Sequence, residues 1–428
     1  MNSPKLRIAG TGEKMQYLVH EFNDNTVRFV LRYPGRLDPN ALRMSARAII
    51  ESVEVLHSSF HSGNIGAYWL VNHDIDDESF FRFIETDGDP CQEALKQALL
   101  PVLQESPAQL RCCLVQSSEA SAVALNISHL CTDGVDGKYL LEKLAEGYKL
   151  ARSTGSCAGL SVKNGSRAAE QVYETLEKRD MLSLLKNPST GIKSPFPYPD
   201  KEQGEANIIW QRIPAQLMSA AREKAKNAGA TANDLLLAAC YRAYASLPGI
   251  VPTAPMSIMS MLDLRRHCKN GESEGLGNMT GSLPTALRNG VGASFGETLA
   301  MVAAQTTAVK DDPLAGLEGM PILHGLTRTL PMWLLEFVAG KLYGSMGTGL
   351  TNLGKIDCSA LALDGLRPDT GWFGGPLKKK PAVQVSAASF DGVCTLSILG
   401  DFTPADMATL QDYLNSAVDE IERYVHGE

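Results

Sequence analysis

The residues best suited to chemistry lie in one short run, His-Leu-Cys-Thr-Asp-Gly, which begins at His129 and fits the pattern His-x-x-x-Asp-Gly. The run follows an apolar stretch, 121–128, and precedes a helix-like stretch, 138–150. We therefore expect the imidazole at the end of a buried strand, next to Asp133 and a glycine turn at Gly134. Histidine titrates near ~6.5, so it can remove a proton from a weak nucleophile near neutral pH. The alternative is a histidine that only ends a core strand.

Several other segments occur in a recognisable order around this run. Near the start, the segment 28–60 contains three parts. It begins with a predicted strand, continues with Gly-Arg-Leu-Asp-Pro-Asn-Ala-Leu at 35–42, and closes with a predicted helix that ends in 55–60. Three later segments are Thr-Ala-Asn-Asp-Leu-Leu-Leu-Ala-Ala (231–239), Leu-Asp-Leu-Arg-Arg (262–266) and Thr-Asn-Leu-Gly (351–354). In this order and spacing the chain resembles the chloramphenicol-acetyltransferase-like superfamily, which includes condensation domains, alcohol acyltransferases and polyketide-associated acyltransferases.

The resemblance implies an α/β fold of two chloramphenicol-acetyltransferase-like halves, each a mixed sheet flanked by helices, with an active-site tunnel at their interface. It implies that His129 is the catalytic base within the motif completed by Asp133 and Gly134. It also implies that Asp133 points away from the base and forms an ion pair with an arginine of the other half, for which Arg265 is the best match. The 351–354 segment would lie near the channel, where Thr351 or Asn352 could donate to an oxyanion.

The implied activity is acyl transfer from a thioester to a hydroxyl or amine acceptor. The donor would be an acyl-CoA or an acyl-phosphopantetheine on a carrier protein, and direct transfer needs no metal and no permanently bound cofactor. A condensation-like enzyme recruited to cyclise a tethered intermediate is one alternative. A binding or scaffold protein without catalysis is the other, although such relatives often lose the histidine that this chain retains.

Two features depart from the family pattern. Condensation domains usually have two adjacent histidines, and Ser128 occupies the first position here, which argues against a standard domain that forms peptide bonds. The plant-type Asp-Phe-Gly-Trp-Gly motif is present only in a distorted form, Asp-Thr-Gly-Trp-Phe-Gly-Gly-Pro, at 369–376.

Composition excludes several other classes. The chain has 428 residues, 44% hydrophobic and 21% charged, which is typical of globular proteins and long enough for two domains. A net charge of -8 disfavours a general nucleic-acid binder. Nine cysteines in such a long chain indicate buried thiols rather than a disulfide framework. The N-terminus lacks an apolar signal core and no run of 18 apolar residues occurs, so we expect a cytoplasmic protein without a membrane span.

We predict an N-terminal half at 1–185, which carries the histidine motif, and a C-terminal half at 186–428, which carries the Asp-Leu-Arg and Thr-Asn-Leu-Gly segments. The polar, proline-bearing stretch 162–207 would link them, with a helix near 167–186. A buried helix should follow a capping box that begins at Thr231. A hairpin should turn near 390–392, and the last helix should begin after Thr403.

Other candidates have plainer interpretations. Cys131 lies two residues after His129. A nucleophilic cysteine needs its sulfur within hydrogen-bond reach of the ring, and alternation along an extended segment allows this poorly. His57 and His61 have a metal-ligand spacing on a helix, but no further ligands accompany them. The glycine run at residues 344, 347, 349 and 354 lacks a Walker lysine. The lysines at 378–380 could meet a phosphate of the donor, but a solvated surface is favoured. The glycosylation sequons at 126–128 and 278–280 are predicted to be coincidental.

Overall fold

The computed structural model describes residues 5–64, 66–185, 190–343 and 347–427. Over these residues the chain forms three β-sheets. Their strands are β1 (Leu6–Ile8), β2 (Thr26–Tyr33), β3 (Ser58–Ser62), β4 (Ala67–Val71), β5 (Phe81–Glu85), β6 (Leu110–Gln116), β7 (Ser121–Ser128), β8 (Glu205–Ile213), β9 (Met256–Asp263), β10 (Thr280–Leu287), β11 (Thr348–Ile356), β12 (Thr370–Gly374), β13 (Val383–Phe390) and β14 (Val393–Phe402).

Helices flank these sheets. They are α1 (Thr11–Tyr17), α2 (Pro39–Ser52), α3 (Asp77–Phe80), α4 (Pro90–Leu99), α5 (Gly134–Thr154), α6 (Lys178–Ser183), α7 (Ala215–Asn227), α8 (Ala232–Ala245), α9 (Phe295–Asp311), α10 (Met320–Thr329), α11 (Met332–Tyr343) and α12 (Pro404–His426). In the described part of the chain, every helix is too short or too polar to span a bilayer.

The strand before the histidine motif lies at the centre of the first large sheet, whose order is β12-β2-β7-β6-β5. All eight residues of β7 are buried, and successive side chains of a strand point to opposite faces. Val123, Leu125 and Ile127 pack in the core that includes α2 and α5, whereas Ala122 and Ala124 pack toward α4. This double burial fixes the end of β7, and therefore the start of the motif, relative to both layers of helices.

The second large sheet has the order β10-β9-β11-β13-β14-β8 and is mixed, because β11 runs parallel to both β9 and β13. Its core is built from residues between Phe196 and Tyr424, with α8 and α12 as its main helices. The fold is therefore the predicted α/β arrangement of mixed sheets flanked by helices.

One strand of the later chain belongs to the earlier sheet. Strand β12 pairs antiparallel with β2, with Trp372 opposite Val30 and Phe373 opposite Phe29. The first sheet is therefore completed by a segment about 340 residues further along the chain. The division predicted between residues 185 and 186 stays a prediction, because residues 186–189 lie outside the described part of the chain.

Two boundary predictions are wrong. The helix expected near 167–186 is a 3-10 turn, Ala169–Tyr173, and the separate short α6. Val172 in the first piece and Leu184 directly after the second are both fully buried, but the chain between them does not form one continuous helix. The helix expected to end within 55–60 already ends at Ser52, because the chain becomes extended at Val53 and enters β3 at Ser58.

Three local predictions are confirmed. Thr231 caps α8 with a capping box to Asp234, and α8 is buried over most of its surface. Thr403 caps α12, with Pro404 in the first turn. Strands β13 and β14 form the expected antiparallel hairpin, with Phe390 opposite Val393.

Candidate functional site

His129 lies directly after the last residue of β7, in a turn that leads into α5. Its backbone N–H donates to the carbonyl of Asn25, 2.7 Å away. The N–H groups of Cys131 and Thr132 both donate back to the carbonyl of Ser128, at 2.9 and 3.2 Å. The buried strand thus ends in a compact turn whose backbone hydrogen bonds hold the histidine in place.

The ring of His129 is held by a backbone carbonyl. Its Nδ1 lies 2.7 Å from the carbonyl oxygen of Thr132. A carbonyl oxygen only accepts, so Nδ1 carries the hydrogen and Nε2 carries a lone pair. Nε2 has no hydrogen-bond partner among the described residues, and the side chain is half-buried. Burial lowers the pKa of His129 and outweighs the opposing charge of Asp133. The ring is therefore neutral near pH 7, with a free nitrogen that can accept a proton.

The carboxylate of Asp133 is fully engaged. It caps α5 by accepting from the N–H of Asp136 at 3.0 Å. It accepts from Arg265 at both oxygens, at 2.8 and 3.1 Å, and from the N–H of Met279 at 2.9 Å. The Asp133 and Arg265 side chains are only 3% and 5% exposed. The two residues paired in the sequence analysis are therefore in bidentate contact, and the contact joins the motif to the chain around β9 and β10.

The local charges favour this ion pair. Burial alone would raise the pKa of Asp133, but Arg265 and two backbone hydrogen bonds hold that pKa below its usual value. The Arg265 guanidinium, whose pKa burial would lower, is instead held above its usual pKa by Asp133 and Asp136. The pair stays charged across the pH range in which most proteins work.

Asp136 is a member of this cluster that the sequence analysis missed. Its side chain contacts Arg265 at 3.0 Å, forms an ion pair with Lys163, and accepts from the N–H of Gly277 at 2.7 Å. Burial, followed by the neighbouring Asp133 charge, raises its pKa. An acidic residue in the first turn of a helix is common at any N-terminus, so its type alone did not mark this role.

Gly134 lies in close packing, where a side chain would crowd its neighbours. A Cβ atom at this position would lie 3.2 Å from the Phe373 ring and 3.3 Å from the Leu353 side chain. Phe373 belongs to β12, within the distorted tryptophan-containing motif, and Leu353 belongs to β11. The glycine therefore lets two segments of the later chain approach the beginning of α5.

Thr351 and Asn352 lie in β11, beside the segment that packs on Gly134. Both are half-buried and pair with β13, opposite Ser386 and Ala387. The Asn352 side-chain oxygen accepts from the N–H of Gly354 at 2.9 Å, within a bulge that interrupts the β11–β13 pairing. The Asn352 oxygen is therefore already used in a hydrogen bond within the bulge, and its amide nitrogen is the group that could donate to a substrate.

Arg167 is a second brace of the motif that the sequence analysis missed. Its guanidinium donates to the carbonyls of Cys131 and Leu130, at 2.9 and 3.1 Å, and to the carbonyl of Leu276. It is also paired with the buried Glu13 at 2.9 Å. The pKa of Glu13, which burial would raise, is held below its usual value by Arg167. Arg167 lies in the polar linker, and no local pattern distinguishes it from a solvated arginine.

The remaining histidine and cysteine candidates do not join the site. The Cys131 side chain is fully buried and donates to the carbonyl of Val55, and burial raises the pKa of its thiol to about 12. His57 ends a 3-10 turn and His61 lies in β3, so their helical spacing does not apply. Within the described ranges no cluster of three or more histidine, cysteine or acidic residues has a metal-binding arrangement.

The lysine run has three different environments, so the expectation of one solvated surface is wrong. Lys379 is exposed, but Lys380 is buried in an ion pair with Asp406 at 2.5 Å. Lys378 is half-buried, and burial lowers its pKa to about 8. In the glycine run, Gly344 lies outside the described residues. Gly347 directly precedes β11, and Gly349 lies within β11 opposite Gln384 of β13.

Comparison of the sequence with known proteins identifies a family. The sequence model of the condensation-domain family matches residues 14–321. Tyrocidine synthase 3 of Brevibacillus parabrevis is 22% identical over 268 residues, which cover 59% of this chain and 4% of that protein. The chain therefore spans only a small part of the length of that curated relative.

Solved structures share the fold over nearly the whole chain. A trichothecene 15-O-acetyltransferase from Fusarium sporotrichioides superposes with a TM-score of 0.69 at 12% identity, and covers 97% of this chain and 95% of its own. The starter condensation domain of rhizomide synthetase, solved in complex with C8-CoA and Leu-SNAC, gives a TM-score of 0.67 at 12% identity, with 97% and 94% coverage.

Proposed function

The chain belongs to the condensation-domain family, and we propose that it moves an acyl group from a thioester donor to a hydroxyl or amine acceptor, with His129 as the general base. The observation that carries this proposal is the state of the His129 ring. Nδ1 is occupied by the Thr132 carbonyl at 2.7 Å, and Nε2 has no hydrogen-bond partner among the described residues. A neutral imidazole held in this tautomer is suited to accept one proton at a fixed position.

The proposed reaction proceeds in two steps. Nε2 takes the proton of the acceptor O–H or N–H while the acceptor atom bonds to the thioester carbonyl carbon, which gives a tetrahedral oxyanion. The oxyanion then collapses, the carbon–sulfur bond breaks, and His129 returns the proton to the leaving thiolate. Polar hydrogen-bond donors near the oxyanion lower this barrier, and Thr351 and Asn352 are the donors predicted from the sequence.

We place the substrates in a tunnel between the two sheets, with His129 near its middle. Two contacts support this. The beginning of α5 packs on Leu353 of β11, and the Lys138 side chain donates to the carbonyl of Lys355 at 2.7 Å. Elements of both parts of the chain therefore meet at the motif. A channel would let two large substrates approach one base while water is kept from the thioester.

The proposed donor is an acyl-CoA or an acyl-phosphopantetheine carrier. The solved starter condensation domain, whose crystals contain C8-CoA and Leu-SNAC, supports a thioester donor of this class for a chain with the same fold. The similarity to an O-acetyltransferase supports a hydroxyl acceptor as well as an amine. No permanently bound cofactor takes part in the proposed steps.

The test is acyl transfer by the purified chain. Acyl-CoA and acyl-carrier donors of increasing chain length are combined with panels of hydroxyl and amine acceptors. Mass spectrometry then follows the mass gain of each acceptor, and release of free thiol is measured in parallel. We expect acceptor-dependent thiol release that is stoichiometric with acylated product. Thiol release that matches a His129→Ala sample for every donor would reject the proposal.

A further inference from the structure

Asn278 lies just before β10 and faces His129. Its amide nitrogen Nδ2 is 3.4 Å from Nδ1 of His129. The sequence analysis treated this residue only as a coincidental glycosylation sequon. The side chain is half-buried and turned toward the motif.

The orientation of the Asn278 amide is fixed from both ends. Its oxygen accepts from the backbone N–H of Thr280 at 3.2 Å, which can only donate. Its nitrogen donates to the side-chain oxygen of Gln16 at 2.9 Å. Gln16 in turn donates to the side chain of Asn25 at 2.7 Å, and the Asn25 carbonyl accepts from the N–H of His129. These four residues form a closed ring of contacts around the proposed base.

One hydrogen of Asn278 remains free. An amide nitrogen carries two hydrogens, and Gln16 accepts the first. His129 cannot accept the second, because its Nδ1 already carries a hydrogen directed at the Thr132 carbonyl. No other acceptor for it exists among the described residues. The site therefore contains a preoriented N–H donor beside the proposed base, without an acceptor in the part of the chain that the structure describes.

A donor at this place has the reach that the reaction requires. A general base acts within about 2.6–3.2 Å of the acceptor atom, and an oxyanion donor acts about 2.7–3.1 Å from the oxyanion. The acceptor atom and the oxyanion belong to one tetrahedral centre, so base and donor must lie within a few ångströms of each other. Asn278 Nδ2 lies 3.4 Å from Nδ1 of His129. Nδ1 belongs to the same five-membered ring as Nε2, the nitrogen that would take the proton, so the donor and the base lie within the few ångströms that one tetrahedral centre spans.

We propose that Asn278 is a catalytic residue that donates its free N–H to the oxyanion, additional to the donors expected near Thr351 and Asn352. Gln16 is its positioning residue, because its side-chain oxygen holds the Asn278 amide in place. The inference rests on the proposed acyl transfer. The segment between β9 and β10 would then stabilise the transition state, and the first sheet would supply the base.

The test compares Asn278→Ala with Asn278→Asp, which keeps the shape but replaces the donor with an acceptor. Removal of one oxyanion donor typically lowers kcat by about 10²–10³-fold, and we expect losses of that order in both variants. KM for the donor and the melting temperature should stay close to those of the native chain. The acidic limb of the pH profile of kcat/KM should not move in Asn278→Ala, since His129 keeps its Thr132 hydrogen bond.

Gln16 supplies a matched pair of variants. Gln16→Glu retains an oxygen that accepts from Asn278 and should keep most of the native kcat, whereas Gln16→Met removes the acceptor and should lower kcat. A purely structural role for Gln16 would lower the melting temperature without this difference in kcat.

The outcomes are distinguishable. An Asn278→Ala variant with native kcat overturns the assignment of Asn278 and leaves the proposed function intact. A shifted acidic limb in the same variant shows that Asn278 acts through His129, which also overturns a direct contact with the oxyanion. Absence of turnover by the native chain with every donor rejects the proposed function and this inference together.

Discussion

His129 and Asp133 of the histidine motif have opposite environments although only three residues lie between them. His129 has one ring nitrogen bound and one free, and its side chain is half-buried. Asp133 has both oxygens engaged by Arg265 and by two backbone N–H groups, and it is almost fully buried. A buried polar atom without a hydrogen-bond partner lowers the stability of the fold, so it is expected where that atom reacts. A buried ion pair whose hydrogen bonds are all made instead links the segments that carry it. The motif thus combines a proposed reactive group with a clamp between two parts of the chain.

The strongest test of this contrast is His129→Ala. Loss of a general base lowers the rate by about 10²–10⁴-fold, and we expect a loss of this size with little change in melting temperature, because the ring has only one short hydrogen bond. Activity is measured with the donor and acceptor found in the transfer assay. His73→Ala, which changes an exposed histidine, is the control and should keep full activity. A folded His129→Ala protein with the native rate would show that His129 is not the base.

Asp133→Asn tests the other end of the motif. Removal of one partner from a buried ion pair costs about 3–5 kcal/mol, so we expect the free energy of unfolding to fall by that order in urea titrations. The matched control is Asp263→Asn, since Asp263 contacts the same Arg265 at 3.0 Å but is 44% exposed. Exposed pairs contribute less than about 1 kcal/mol. Equal losses in the two variants would contradict the clamp.

The pH dependence of kcat/KM should reflect His129. Burial lowers its pKa below the usual value of 6.5. A base works only when unprotonated, so the midpoint of the acidic decline in kcat/KM should lie below pH 6.5. In Asp133→Asn the loss of a nearby negative charge should move this decline to still lower pH. An acidic limb centred above 6.5 in the native chain would contradict the assigned environment.

Cys131 should give the smallest effect, although it lies two residues from His129. Its thiol is buried against Val55 and its pKa is raised to about 12, so it is not a nucleophile near neutral pH. Cys131→Ala should keep most of the activity and lose only a little stability. Inactivation that depends on alkylation of Cys131 in the folded protein would count against this account.

Local sequence predicted the elements that position the site better than it predicted the site itself. Alternating apolar residues in 121–128 predicted β7, and the caps at Thr231 and Thr403 predicted the starts of α8 and α12. These features depend on neighbours a few residues apart, whose chemistry is visible in the sequence. One incorrect helix boundary lies in the polar stretch 167–186. The other lies at Ser52, where the chain becomes extended at Val53 although Val53 is buried.

The sequence by itself determined the types of group in the motif and the order of the segments around it. It could not determine that Arg167 braces the carbonyls of residues 130 and 131, or that β12 completes the first sheet. It also did not indicate that Lys378 and Lys380 are less exposed to solvent than Lys379. These outcomes depend on contacts between residues far apart in the chain. Burial and pairing at such contacts decide which arginine, aspartate or asparagine is structural and which is free to react, and only the tertiary structure fixes them.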